Sequence, residues 1–152
     1  MNETIMKKWV KALRSGKYKQ GRGTLCQVDK KGNESFCCLG VLCDLYNKDR
    51  KAKKKKGLNV ERTPNEGFSD GNLSKAEFIT MYNDVDGTLP DVVAHWAEFN
   101  ECNFEGNFME LEGRDTTSVN RSLVDFNDGC DERKPKSFKQ IADIIEKNYE
   151  QL

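Results

Sequence analysis

The sequence predicts an α+β fold, a small antiparallel sheet covered by about five helices. Two observations carry this expectation. Segments of helical apolar spacing stand at both ends of the chain, and a hairpin pattern lies near residues 24–37. The resulting order is helix, hairpin, helix, excursion, strand, helix, strand, helix, helix.

The first helix rests on Ile5, Met6, Trp9, Val10 and Leu13, spaced three and four apart as one stripe, with Gly16 as its stop. Lys17 to Gly23 is a polar turn in which Gly21 and Gly23 give the backbone freedom. Thr24–Val28 and Ser35–Cys37 flank the tip Asp29–Glu34 and form the hairpin. A helix beginning near Cys38 carries Leu39, Val41, Leu42, Leu45 and Tyr46 inward. The basic run Lys48–Lys56 then reads as a solvated helix end or loop. Residues 57–75 are polar and rich in breakers, so residues 48–75 as a whole are expected to form an irregular basic and polar excursion.

Phe78–Tyr82 is a candidate strand. Leu89-Pro90 opens a helix with Val92, Val93, Trp96 and Phe99 on one face. Phe104–Leu111 has room for another short strand, and Ser118–Asn127 reads as a helix with Val119, Leu123 and Phe126 inward, stopped at Gly129. Ser137 with Gln140 is a capping box for the last helix, whose stripe is Ile141, Ala142, Ile144 and Ile145. Residues 1–152 are expected to form a single domain, because this length leaves little room for two.

No run approaches the roughly 18 apolar residues that span a bilayer, so no membrane role is expected. The segment Met1–Arg14 does not read as a signal peptide, and the six cysteines are accordingly expected as reduced thiols. Net charge is zero but divided: residues 1–62 carry 17 Lys/Arg against 6 Asp/Glu, a net +11, and residues 63–152 carry 8 against 19, a net −11. The two halves of one domain can attract each other, or the basic half can meet an acidic partner.

Asp84-Val85-Asp86-Gly87-Thr88-Leu89 looks like the nucleophile motif of haloacid-dehalogenase-type phosphatases, but the repeated strand–helix units of that family do not follow it. A turn before a helix explains the string as well. A thiol hydrolase would need Cys38 near His95, oriented by Asn127 or Asp128. Cys38 lies in an apolar run and His95 precedes a core tryptophan, which favours a structural thiol and a surface imidazole. Cys37-Cys38 and Cys38-x4-Cys43 are not zinc-knuckle spacings, so no metal and no cofactor is expected. Tyr18-Lys19-Gln20-Gly21-Arg22-Gly23 could cradle a phosphate with its backbone N–H groups, but it does not link a strand to a helix, so it is neither a P-loop nor a dinucleotide fingerprint. It is nevertheless the first candidate for a binding surface.

Several blocks in order carry a resemblance: Trp9-Val10, Ala12 to Gly16, Tyr18, Gln20-Gly21 and Gly23; Cys37 to Leu45; Leu89-Pro90 with Val93 and Trp96; Leu123 with Phe126 to Gly129; and Ser137-Phe138 with Ile141 to Glu146. The chain resembles a family of small uncharacterised proteins of tailed bacteriophages and some bacteria. The resemblance implies a viral accessory protein made in the cytoplasm of an infected bacterial host. It brings no activity, cofactor or catalytic residue. The expected function is non-catalytic binding of a host protein or a small anionic ligand. The alternatives are a small enzyme, either a thiol-dependent hydrolase or a phosphohydrolase, and a nucleic-acid-binding protein using the basic half. The candidate binding residues are Tyr18, Gln20, Arg22, Lys53, Lys54, Lys55, Asn127 and Asp128.

Overall fold

The computed structural model describes residues 1–66, 76–100, 107–109, 120–129 and 134–152. The fold is α+β, and the described residues form a four-stranded antiparallel sheet and five α-helices.

Helix α1 (Glu3–Arg14) begins where the Asn2 side chain accepts the backbone N–H groups of Thr4 and Ile5. These are donors that a helix start otherwise leaves unpaired. The expected stripe is buried, and Gly16 leaves the helix at a φ of 69°. Helix α2 (Cys38–Ala52) is capped by the Cys37 side chain, whose sulfur accepts the Gly40 N–H. The two helices meet over Trp9, which is fully buried and donates its indole N–H to the Cys38 carbonyl at 2.9 Å. That bond satisfies the one polar group of the ring.

Strands β1 (Cys26–Asp29) and β2 (Glu34–Phe36) form the predicted hairpin. Two further strands complete the sheet: β3 (Val60–Pro64) and β4 (Ala76–Tyr82), in the order β2-β1-β4-β3. Strand β4 covers the expected Phe78–Tyr82. Strand β3 was not expected, since residues 57–75 read as irregular. Val60-Glu61-Arg62-Thr63-Pro64 has one strong apolar residue and no alternation, because as an edge strand it is largely exposed. Residues 67–75 of the expected excursion lie outside the described residues. The ion pair of Arg62 with Glu34, at 2.6 Å, runs from β3 to β2, the two outermost strands.

Helix α3 (Asp91–Trp96) follows Pro90 as expected, and of the expected face only Val92 turns outward, while Trp96 is half-buried against the core. Val93 and Ala94 are buried and Val92 is exposed, because the helix ends at Trp96 and Phe99 reaches the core from beyond it. Strand β5 (Asn107–Met109) falls inside the expected Phe104–Leu111 and pairs with β6 (Asn120–Ser122). Asn120–Ser122 was expected as helix. Helix α4 (Leu123–Asp128) starts only after Ser122, which forms a capping box with Asp125. Ser118 and Val119 lie outside the described residues. Helix α5 (Phe138–Asn148) has the predicted Ser137–Gln140 box and packs along α1, where Arg14 bridges Asp143 at 2.5 Å and Glu146 at 2.7 Å. Among the described residues no helix is long and apolar enough to cross a membrane.

Candidate functional site

The candidate residues separate into an internal polar clamp and an exposed basic corner. The clamp joins the turn after α1 to the end of α4. Lys19 to Gly21 runs beside β2: the Gly21 N–H donates to the Phe36 carbonyl at 2.7 Å and the Phe36 N–H to that of Lys19 at 2.9 Å. The segment read as a polar turn is tied to the sheet by these bonds. Asn127, fully buried, donates its amide to the Gly21 carbonyl at 2.8 Å and to the Asp128 carboxylate at 2.7 Å. Its own oxygen accepts from Gln20 at 3.0 Å.

Gln20 also donates to the Lys136 carbonyl and accepts the Phe138 N–H at the start of α5. The orientation of both amides is forced, because a carbonyl can only accept and a backbone N–H can only donate. Asp128 accepts the Gly23 N–H at 3.0 Å. Three of the candidates, Gln20, Asn127 and Asp128, thus spend their polar atoms on one another and on nearby backbone. This is the satisfied network expected of buried polar groups.

Tyr18 belongs to a second cluster. Its hydroxyl donates to the Asp44 carboxylate and receives the Lys48 ammonium at 2.9 Å, while Lys48 pairs with Asp44 at 2.6 Å. Its ring stands edge-on to Phe36, with centroids 5.4 Å apart. Burial, and then the hydrogen bond to Asp44, raise the Tyr18 phenol above its ordinary value. Tyr18 therefore stays protonated near neutrality and is no general base. Arg22 is half-buried on the turn and makes no ion pair with a described residue.

The basic corner is the end of α2. The Lys54 N–H donates to the Lys51 carbonyl and the Lys55 N–H to that of Arg50, the Schellman pattern of a closed helix terminus. Arg50 also donates to the Lys56 carbonyl. The lysine run is thus an organised helix end, in which Lys48 pairs with Asp44 and Lys53 with Asp49 at 2.8 Å. Lys51, Lys54, Lys55 and Lys56 are exposed and make no ion pair with a described residue.

Lys54 occupies the left-handed region at a φ of 54°, the position that glycine usually takes in this motif. Such a conformation costs a side-chain-bearing residue about 1 kcal/mol. Lys54→Gly is expected to raise stability by about 0.5–1 kcal/mol in urea unfolding. An unchanged midpoint would mean the lysine bears no strain.

The thiols are placed for packing. Cys26, Cys37, Cys38 and Cys43 are free and buried, and the Cys38 sulfur donates to the Leu123 carbonyl at 3.5 Å. Cys102 and Cys130 lie outside the described residues. Burial pushes the Cys37 thiol up to about 12 and raises Cys38 and Cys43 well above the ordinary value. Cys26 and the Tyr82 phenol are raised by burial as well. A nucleophilic thiol needs the opposite shift. His95, which a thiol hydrolase would need at Cys38, is exposed on α3.

The raised values set a pH dependence. Each group holds its proton more tightly when folded, so the stability it contributes is complete below the ordinary thiol value of 9.0 and drains away as pH rises toward 12. The melting temperature is expected to be flat from pH 7 to about pH 8.5 and to fall above pH 9, more shallowly in Cys38→Ala. A flat profile through pH 11 would contradict the burial of these thiols.

The string Asp84 to Leu89 serves as a turn. Asn83 and Asp84 are left-handed, at φ of 49° and 66°, and Tyr82 and Val85 exchange backbone bonds across it. The Asp86 carbonyl then accepts the Leu25 N–H at 2.5 Å, fixing the loop to the start of β1. Among the described residues, no three His, Cys, Asp or Glu side chains gather as a metal-binding group. A shallow groove of about 500 Å³ at the α1 surface is lined by Lys7, Val10, Lys11, Arg14, Ser15 and Glu146. Glu3 answers Lys7 there, and Asp143 and Glu146 answer Arg14.

Comparison with curated proteins and with solved structures returns no match for either. A family profile described as Domain of unknown function (DUF8296) matches residues 1–149, which takes in the α1 stripe, the clamp, the basic corner and the whole α5 helix. With nearly its whole length matched, the chain belongs to the DUF8296 family.

Proposed function

We propose that the protein is a non-catalytic, phage-type accessory protein that works in the bacterial cytoplasm and binds an acidic surface of a host protein. Its contact surface is the basic corner at the end of α2. The observation that carries this reading is the organised terminus bearing Lys51 and Lys54 to Lys56, exposed and without carboxylate partners among the described residues, with Lys54 held in a strained conformation. Strain retained at one position is a pointer to a role for that side chain. The excess of +11 in residues 1–62 gives the corner a field that steers an acidic partner. The phage setting rests on the resemblance of the sequence blocks from Trp9 to Glu146.

The enzyme alternative loses support from the buried thiols and from the hydrogen bonds that occupy Gln20, Asn127 and Asp128. A small anionic ligand would use the same lysines, but they stand exposed at a helix end, which suits a protein surface better than an enclosed ligand.

The test is capture from a bacterial lysate by the wild type and by K51Q/K54Q/K55Q/K56Q, with heparin and duplex DNA as parallel probes. A host protein retained by the wild type and reduced at least tenfold in the variant is the expected result. Equal capture by both would remove the basic corner from the reading. DNA retention that falls steeply with salt, with no protein captured, would move it to nucleic acid.

A further inference from the structure

We infer that an extended acidic segment of a partner polypeptide docks on the outer edge of β3 as a fifth strand, guided by the lysines that precede it. This rests on the basic-corner reading and names the form of its ligand.

Among the described residues no strand pairs with the outer edge of β3. The pairing of β3 with β4 follows one antiparallel register, from Val60 opposite Tyr82 to Pro64 opposite Phe78. Beyond the two ends of that register, the Asn83 N–H donates to the Asn59 carbonyl and the Asn65 N–H to the Glu77 carbonyl. Antiparallel strands bond through alternate residues, so Asn59, Glu61, Thr63 and Asn65 turn their backbone groups toward β4. Val60 and Arg62 therefore turn theirs outward, each with one donor and one acceptor. Pro64 faces the same way but has no N–H, which ends the usable edge there.

Two further observations bear on the occupant. Val60 is 50% exposed, one of two large apolar side chains that stand out among the described residues, and it sits on this open edge. Arg62 is drawn toward β2 by Glu34 at 2.6 Å and so does not lie over its own free edge. Only Gly57, Leu58 and Asn59 separate the lysine run from Val60, and Leu58 is pinned to α2 by its N–H bond to the Asn47 side chain at 2.8 Å. The lysines consequently stand at the start of the open edge. An added strand would exchange backbone bonds with Val60 and Arg62, cover the Val60 side chain, and set carboxylates against Lys54 to Lys56. A nucleic acid would use the lysines alone. It would find no large exposed aromatic among the described residues on which to stack its bases.

The experiment follows backbone amide exchange by NMR in the intact chain on addition of an octapeptide of alternating Glu and Val. The Val60 and Arg62 amides are expected to slow at least tenfold, while Glu61 and Thr63, already in the ladder, stay as they were. Val60→Pro, which removes one outward donor without breaking a ladder bond, is expected to weaken binding at least tenfold, and Val60→Thr less than twofold. Three results would overturn the inference: shifts confined to Lys51–Lys56, equal binding by Val60→Pro, or protection of Val60 and Arg62 that grows with protein concentration and needs no peptide, which would mark a second copy as the occupant. In the first two cases lysine-dependent capture from lysate still stands or falls by itself.

Discussion

Gly40→Ala is expected to cost about 4 kcal/mol or more, enough to leave little folded protein at 37 °C given the usual 5–15 kcal/mol of total stability. A Cβ at this position would lie 1.7 Å from the Leu25 carbonyl oxygen and 2.6 Å from its carbon. Both atoms are backbone, so no side chain can rotate away. Leu25 cannot retreat either: its carbonyl accepts the Cys37 N–H at 3.1 Å and its N–H donates to Asp86. Relief would require α2 to lift off the sheet, and with it Trp9, whose indole bonds to Cys38. Gly87→Ala is the matched control, since nothing lies within 4 Å of its Cβ position, and it is expected to change stability by less than about 0.5 kcal/mol. Urea unfolding, or soluble yield where Gly40→Ala does not fold, separates the two. Similar stability for both variants would disprove the contact.

Asn127→Ala is expected to cost about 3 kcal/mol. The change removes the donor to the buried Gly21 carbonyl and the acceptor for Gln20, and it opens a small void. A double-mutant cycle with Gln20→Ala should give a coupling of about 1 kcal/mol, because the two amides share a bond. A cost below about 0.5 kcal/mol would free Asn127 from its structural duty and return it to the list of ligand contacts. The measurement thus decides between clamp and binding site for residues that a sequence motif alone cannot sort.

Legibility in the sequence followed the range of the interactions. Helices α1 and α5 were readable because period and cap are local properties: Ile5 to Leu13 repeats at helical spacing, and Ser137 with Gln140 closes its own box. The hairpin was readable from its tip. Strand β3 was hidden because an edge strand buries little and so leaves no alternation in Val60–Pro64. The stretch ending in Asn120–Ser122 mimicked a helix because Leu123 and Phe126 continue the spacing begun at Val119. The true start was marked by Ser122 and Asp125, a box using Asp in place of the commoner Glu or Gln. Gln20 stood out in a polar turn and Asn127 at a helix end, but their union did not. Two polar segments 107 residues apart have no periodic signature, and hydrogen bonding between them is visible only when both are in space. Gly40 was equally silent: a glycine in an apolar helix gives no sign of the backbone pressed against it.

The clamp also governs the order in which the chain can be finished. Gln20 waits for Asn127 and Phe138, and Arg14 for Glu146, so residues near the start find their partners only after 107 to 132 further residues have been made. Such distant closure slows folding. During synthesis the cationic first portion leaves the ribosome ahead of its acidic counterweight, with the Cys37 and Cys38 thiols still open to oxidants and the apolar side of α1 uncovered. For this molecule, the interval between translation of Arg14 and of Glu146 is its time of greatest exposure to oxidation and aggregation.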